Sequence, residues 1–243
     1  VDGQERLLAV LGEGALIGEL ALLDDAPRSA AVTALLTGEG YAQSAKLASR
    51  LGPFEKYSEN RESMLDVIEM HMDALDELLF FELEVGADGT ILDSHGWPAR
   101  WRTMRDAALD AGVQVVPTIS MHDPAAFEAL FADARSSETL VATLMGLLAA
   151  SPELSGLHLD VEVFQRVSAD ARDGYTAFVA RLADRMRTLH PALSLSVFVL
   201  AFDVDDVYNE RALGQIADFV VVQGYDYHSM GSATAGPVGP VSG

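Results

Sequence analysis

Between about residue 61 and residue 222 the chain alternates between two hydrophobic rhythms. Apolar positions spaced three and four apart predict helices over Arg61 to Leu75, Ala99 to Ala111, Pro124 to Ala134, Glu138 to Ala150, Ala169 to Leu189 and Val207 to Ile216. The clearest is Ala169 to Leu189. There Tyr175, Phe178, Val179, Leu182, Met186 and Leu189 share one face, Arg181, Asp184, Arg185 and Arg187 take the other, and Pro191 stops the helix. Between these segments lie short, mostly apolar runs: Leu78 to Val85, Val113 to Ile119, Leu157 to Val163, Leu193 to Leu200 and Phe219 to Val222. Runs of this kind suit parallel strands covered on both faces, and strands each followed by a helix imply βα units in a parallel sheet or barrel.

The first 37 residues follow a different pattern. Leu7 to Leu11 and Ala30 to Leu36 are short β-type runs separated by turn signals such as Gly12-Glu13-Gly14. Residues 38–60 have no clean period and many breakers, so a join is expected at 38–55, dividing the chain into 1–37, 38–55 and 56–243.

Composition narrows the partners. Asp and Glu number 37 against 16 Lys and Arg, a net charge of −21, and only two of the cations are lysines, Lys46 and Lys56. Neutralising phosphates needs clustered cations, so neither nucleic acid nor an anionic membrane surface is an expected partner. At 49% hydrophobic residues the chain can offset its ordering entropy by burial. Leu140 to Ala150 is too short to span a bilayer, and no leader precedes the fold in the chain as given, which leaves the compartment open between cytoplasm and export. Absence of cysteine removes disulfides and thiol chemistry, His71, His95, His122, His190 and His228 lack metal-ligand spacing, and no Gly-x-Gly-x-x-Gly follows a strand. No metal and no cofactor are expected.

The chemistry concentrates in Ser155-Gly156-Leu157-His158-Leu159-Asp160-Val161-Glu162-Val163. Side chains alternate along a strand, so Leu157, Leu159, Val161 and Val163 point one way and His158, Asp160 and Glu162 the other. Lining three ionisable groups into an interior costs desolvation that structure alone seldom justifies. Two carboxylates roughly 6 to 7 Å apart along a strand also push each other's pKa values apart, the usual route to an acid that stays protonated near neutral pH. The alternative is an exposed edge strand with one wet face.

At these residues the chain resembles glycoside hydrolase family 18, the chitinase-like family, whose fourth barrel strand carries Asp-x-x-Asp-x-Asp-x-Glu. The matching stretch, Ser155 to Glu162, keeps the last Asp and the Glu and replaces the first two acids by Ser155 and His158. Val222-Gln223-Gly224-Tyr225-Asp226-Tyr227-His228 is similar to the family's sixth strand, with Gln223 in place of Met, and Asp88-Gly89-Thr90-Ile91, His95 to Trp101 and Val113 to Ser120 follow bacterial members in order. The resemblance covers about residues 60–243. It implies a (β/α)8 TIM-type barrel, incomplete here, since strands seven and eight have no candidate and the first matches poorly near Pro53 to Tyr57. It implies hydrolysis of an N-acetylated oligo- or polysaccharide, chitin- or peptidoglycan-like. Glu162 would be the general acid/base, with its pKa raised by an apolar, carboxylate-flanked site. Asp160 would orient the substrate's N-acetyl group and Tyr225 would hydrogen-bond its carbonyl. That carbonyl is the nucleophile, in the substrate-assisted manner of this family. Asp226, His158 and Tyr227 would line the cleft. His158 either holds Asp160 ionised by donating a hydrogen bond or marks a degenerate, binding-only site. Trp97 and Trp101 fit core cover better than sugar stacking.

Residues Leu11 to Leu35 resemble the phosphate-binding cassette of cyclic-nucleotide-binding domains through Gly18, Glu19, Leu20, Ala21, Leu22, Pro27, Arg28, Ser29 and Ala30. The resemblance implies backbone N–H groups and Arg28 on a cyclic phosphate, a hydroxyl from Ser29 and a ribose contact from Glu19. A whole domain of that kind takes ~110 residues, within the usual domain range. Only its last third is legible, so little or no nucleotide binding is expected. The leading expectation is thus an incomplete glycosidase barrel behind an all-β fragment. The alternatives are a carbohydrate-binding protein on the same barrel and a nucleotide-responsive module.

Overall fold

A computed structural model describes residues 33–36, 72, 75–200, 203 and 205–223. The apolar runs become strands. In chain order the elements are β1 (Thr33–Leu36), β2 (Glu77–Val85), β3 (Ile91–Asp93), a 3-10 turn (Ala99–Trp101), α1 (Arg102–Ala111), β4 (Gln114–Met121), α2 (Pro124–Phe131), α3 (Ala134–Ala150), β5 (Gly156–Val161), α4 (Ala169–Leu189), β6 (Ser194–Leu200), α5 (Glu210–Ile216) and β7 (Phe219–Gln223). The sheet runs β1-β2-β4-β5-β6-β7, every neighbouring pair parallel, and β3 folds back antiparallel on β2. It is the wall of a βα barrel, open among the described residues, with β1 and β7 at its two ends.

Local chemistry fixes where the helices start. Asp123 accepts from Ala125 N with Pro124 at the first helical position, Ser168 accepts from Ala171 N, and Asn209 accepts from Ala212 N. Asp133 takes both Arg135 N and Ser136 N, so α3 begins at Ala134 and α2 ends at Phe131, where the periodicity alone places the division at 134–138. The same capping by Asn209 starts α5 at Glu210 rather than at Val207. Asp88-Gly89 closes the turn between β2 and β3. Gly89 has φ +81°, and an added Cβ would lie 2.5 Å from Ser136 O.

Helix α4 buries Tyr175, Phe178, Val179, Leu182 and Met186 of its predicted face, each contributing about 1.5–3 kcal/mol of transfer free energy, while Leu189 at its last position is 46% exposed. Tyr175 and Phe178 join Phe127, Phe131 and Tyr208 in one aromatic cluster, with Phe131 and Tyr175 at 4.9 Å between ring centroids. The helices approach closely at Gly174, where a Cβ would overlap the Phe131 carbonyl oxygen. The place beside β2 is taken by Thr33–Leu36 of the expected all-β segment. The stretches around Pro53 to Tyr57 and Leu7 to Leu11, and nearly all of the Arg61 to Leu75 helix, lie outside the described residues.

Candidate active site

Asp160 and Glu162 belong to a strand with neighbours on both sides. Register pairs Ser120 with Asp160 on β4 and His158 with Ser196 on β6, and all six residues of β5 are buried. The exposed edge strand is therefore excluded, and the polar column of β5 lies within the barrel wall. Strand pairing ends at Val161, but Glu162 N still donates to Met121 O at 2.8 Å, which fixes the residue at the mouth of the site. Tyr208 completes the hold. Its hydroxyl donates to Val161 O at 2.5 Å and accepts from Val163 N at 3.1 Å, gripping the backbone on both sides of Glu162.

Electrostatics separate the column's members. Asp160 is 5% exposed; burial, Glu162's charge and a side-chain hydrogen bond with Glu162 push its pKa up to about 8. The pair therefore keeps a proton at neutral pH. His158 is 2% exposed, and burial drives its pKa down to about 4, so the ring is neutral. Its Nδ1 is hydrogen-bonded to Ser196 Oγ at 2.8 Å, sideways to β6. A neutral ring whose Nδ1 is taken by Ser196 offers Asp160 no positive charge. Tyr175 and Tyr208 close the outer side, both hydroxyls raised above the ordinary tyrosine value mainly by burial.

A second group of titratable residues stands beside the pair. Glu82 of β2 is largely buried; its Oε1 lies 3.6 Å from His95 Nε2, and its Oε2 lies 3.6 Å from Nε2 of His122, the residue after β4. Burial pushes Glu82 up, but His122, Ser120 and His95 outweigh it and its pKa is lowered. His122 is raised, first by Glu82 and, against burial, by the charges of Glu162 and Asp160. The pattern of acids within an apolar run was as visible in Glu82 and Glu84 as in β5. Contact with His122 was not, since it depends on the register shift of β2 between Phe80 and Leu83. Phe164, two residues after Glu162 in the chain, is 58% exposed, an apolar group that periodicity did not single out.

Asp160, Glu162 and His158 are thus brought together as the spacing predicts. Trp97 and Trp101 pack on Phe80, at 5.5 and 5.9 Å between ring centroids, as core cover. Tyr225, Asp226 and Tyr227, together with Gly18, Glu19, Leu20, Ala21, Arg28 and Ser29, lie outside the described residues. Among the described residues no cluster of three or more His, Asp or Glu is arranged to hold a metal ion, and no helix is long and apolar enough to cross a membrane.

Comparison with known proteins adds a family signal to this geometry. The model for glycosyl hydrolases family 18 matches residues 56–243, and that for the cyclic nucleotide-binding domain matches residues 1–45. Solved structures with the same fold include the spore cortex-lytic enzyme SleL of Bacillus cereus (TM-score 0.60, 20% identity, 73% of this chain and 40% of that one). A class V chitinase of Pseudomonas fluorescens Pf-5 is similar (TM-score 0.61, 19% identity, 71% and 56%). So is a chitinase of Chromobacterium violaceum (TM-score 0.56, 21% identity, 82% and 57%). A stretch of 70 residues, 28% of this chain, is 43% identical to the vitamin B12-dependent ribonucleotide reductase of Rhodopirellula baltica, of which it spans 7%. The chain thus spans about half the length of these solved proteins and a small fraction of the curated relative.

Proposed function

The chain belongs to glycosyl hydrolase family 18, and from that premise we propose that its barrel hydrolyses glycosidic bonds next to N-acetylglucosamine units in a chitin- or peptidoglycan-like polymer. The observation that carries the reading is the buried, hydrogen-bonded Asp160–Glu162 pair, which keeps a proton where a leaving sugar oxygen needs one. In this mechanism Glu162 gives a proton to the glycosidic oxygen as the bond from the anomeric carbon breaks. The substrate's own acetamido carbonyl closes onto that carbon, oriented by Asp160 and, from outside the described residues, by Tyr225. Glu162 then takes a proton from the water that opens the cyclic intermediate, which restores the starting state with retention. Asp226, Tyr227 and His158 line the cleft in this reading. With a proton on Asp160 in the free site, the Asp160–Glu162 hydrogen bond is the path by which that proton reaches Glu162.

The test is hydrolysis of a chromogenic chitobioside and of N-acetylglucosamine oligomers by the full chain and by Glu162→Gln. We expect the variant to lose at least 100-fold in kcat while keeping its fold, as befits loss of an essential proton donor. Turnover that survives the change would remove Glu162 from the role. One observation favours a second reading, a sugar-binding barrel without turnover: a neutral His158 stands where the family carries an acid. Oligosaccharide binding without any cleavage by the wild-type chain would select it. A nucleotide-responsive role rests on residues 1–45 alone, and a thermal shift with cyclic AMP would reveal it.

A further inference from the structure

The buried acid pair needs a counter-charge, and its own strand supplies none. His158 is neutral and turned to Ser196. The neighbouring strand offers one instead. On β4, Ser120 lies opposite Asp160 and Met121 opposite Val161, and the next backbone contact, Glu162 N to Met121 O, brings the chain to His122 at the level of Glu162. His122 is held from the far side by Glu82 of β2, with Nε2 to Oε2 at 3.6 Å. Glu82 also lies 3.6 Å from His95, whose ring faces Glu84 at 3.8 Å and Asp93 at 3.6 Å.

We propose that His122, ion-paired with Glu82, is the positioning residue that supplies the cationic partner of the Asp160–Glu162 pair from the adjacent strand. The proposal rests on the assignment of Glu162 as the acid/base. The groups that face His122 are Glu82 on β2 and Asp160 and Glu162 on β5, and its sequence neighbour Asp123 turns away to cap α2 through Ala125 N. Glu82 first, and then the negative charge of the singly protonated Asp160–Glu162 pair, raise the imidazole above an ordinary histidine. A cation there favours the form of the pair with one proton over the form with two, which is the form that can both donate to a leaving oxygen and orient an amide. It also leaves the interior column of β5 free of any charged histidine.

The experiment has two independent arms on the full chain. In the first, pH profiles of kcat and KM for a chromogenic chitobioside are compared between wild type, His122→Gln and Glu82→Gln. Loss of the cation should move both limbs of the kcat profile to higher pH by about half a unit to one unit and lower kcat about tenfold with KM nearly unchanged. Glu82→Gln should do the same to a smaller degree. A profile that stays in place, or a rise in KM with kcat intact, would overturn the proposal. In the second arm the His122 imidazole is titrated by NMR, its signal assigned by its loss in His122→Gln. Glu82→Gln and Glu162→Gln should each lower its midpoint towards 6.5. A midpoint that ignores Glu162→Gln sinks the coupling even if turnover is normal. A midpoint that responds in a chain without turnover keeps the coupling and removes the hydrolytic reading.

Discussion

The ring of His158 and the hydroxyl of Ser196 share a buried 2.8 Å hydrogen bond between β5 and β6. Burial keeps the imidazole neutral, while Asp160 two residues along the strand keeps a proton. The two groups therefore act on stability in opposite directions as pH changes.

Those opposite signs give a stability profile with a defined shape. His158 falls from 6.5 to about 4 on folding, so protonation favours the unfolded chain, and its contribution is lost as pH falls from 6.5 to 4. Asp160 rises from 3.8 to about 8, so its contribution is complete below 3.8 and is lost as pH climbs to 8. Between 4 and 6.5 the two offset each other. Between 6.5 and 8 only Asp160 of this pair acts, at a slope of up to about −1.4 kcal/mol per pH unit. Denaturant melts at pH 6.5 and 8 should show wild type weakening, with Asp160→Asn flattening the fall. Equal slopes in the two proteins would refute the assignment.

Tyr208→Phe removes the hydroxyl that serves Val161 O and Val163 N. Each buried backbone group left unpaired costs about 1–3 kcal/mol, so the expected loss is a few kcal/mol in a denaturation curve. Activity should fall further than stability predicts, because the backbone that carries Glu162 loses its grip on both sides. Measuring kcat well below the variant's melting temperature separates the two effects.

Gly174→Ala places a methyl group against the Phe131 carbonyl oxygen where α2 and α4 meet. The helices must separate to admit it, at a cost of about 1–3 kcal/mol. A drop of several degrees in melting temperature is expected, although alanine is the better helix former at an exposed site. An unchanged melting temperature would mean the two helices adjust freely.

Phe164→Ala should leave the melting temperature within a degree or two, because the ring is 58% exposed. If Phe164 offers its face to a sugar ring at the mouth of the site, KM for longer oligosaccharides should rise about tenfold with kcat little changed. An unaltered KM would assign the ring to surface cover.

The α4 stripe and the apolar strand runs were legible because each is a local periodicity that survives in the fold. The His158–Asp160–Glu162 column was legible for the same reason, since alternation along one strand needs no knowledge of its neighbours. The start of α3 depended on Asp133 acting as a cap, which the hydrophobic rhythm does not register. The Glu82–His122 contact was further out of reach. It joins residues 40 positions apart on different strands, and a one-residue slip on β2 decides whether they meet. The partner of the His158 ring was likewise out of reach, since Ser196 belongs to the following βα unit.

The hydroxyl that grips the backbone around Glu162 comes from more than 40 residues later in the chain, after β6. A polypeptide emerging from its N-terminal side can therefore pair β5 with β4 long before Tyr208 has been made. During that interval Glu162 is present but unanchored on its far side. The backbone on both sides of Glu162 gains this second hold only once the βα unit that follows has docked against β5.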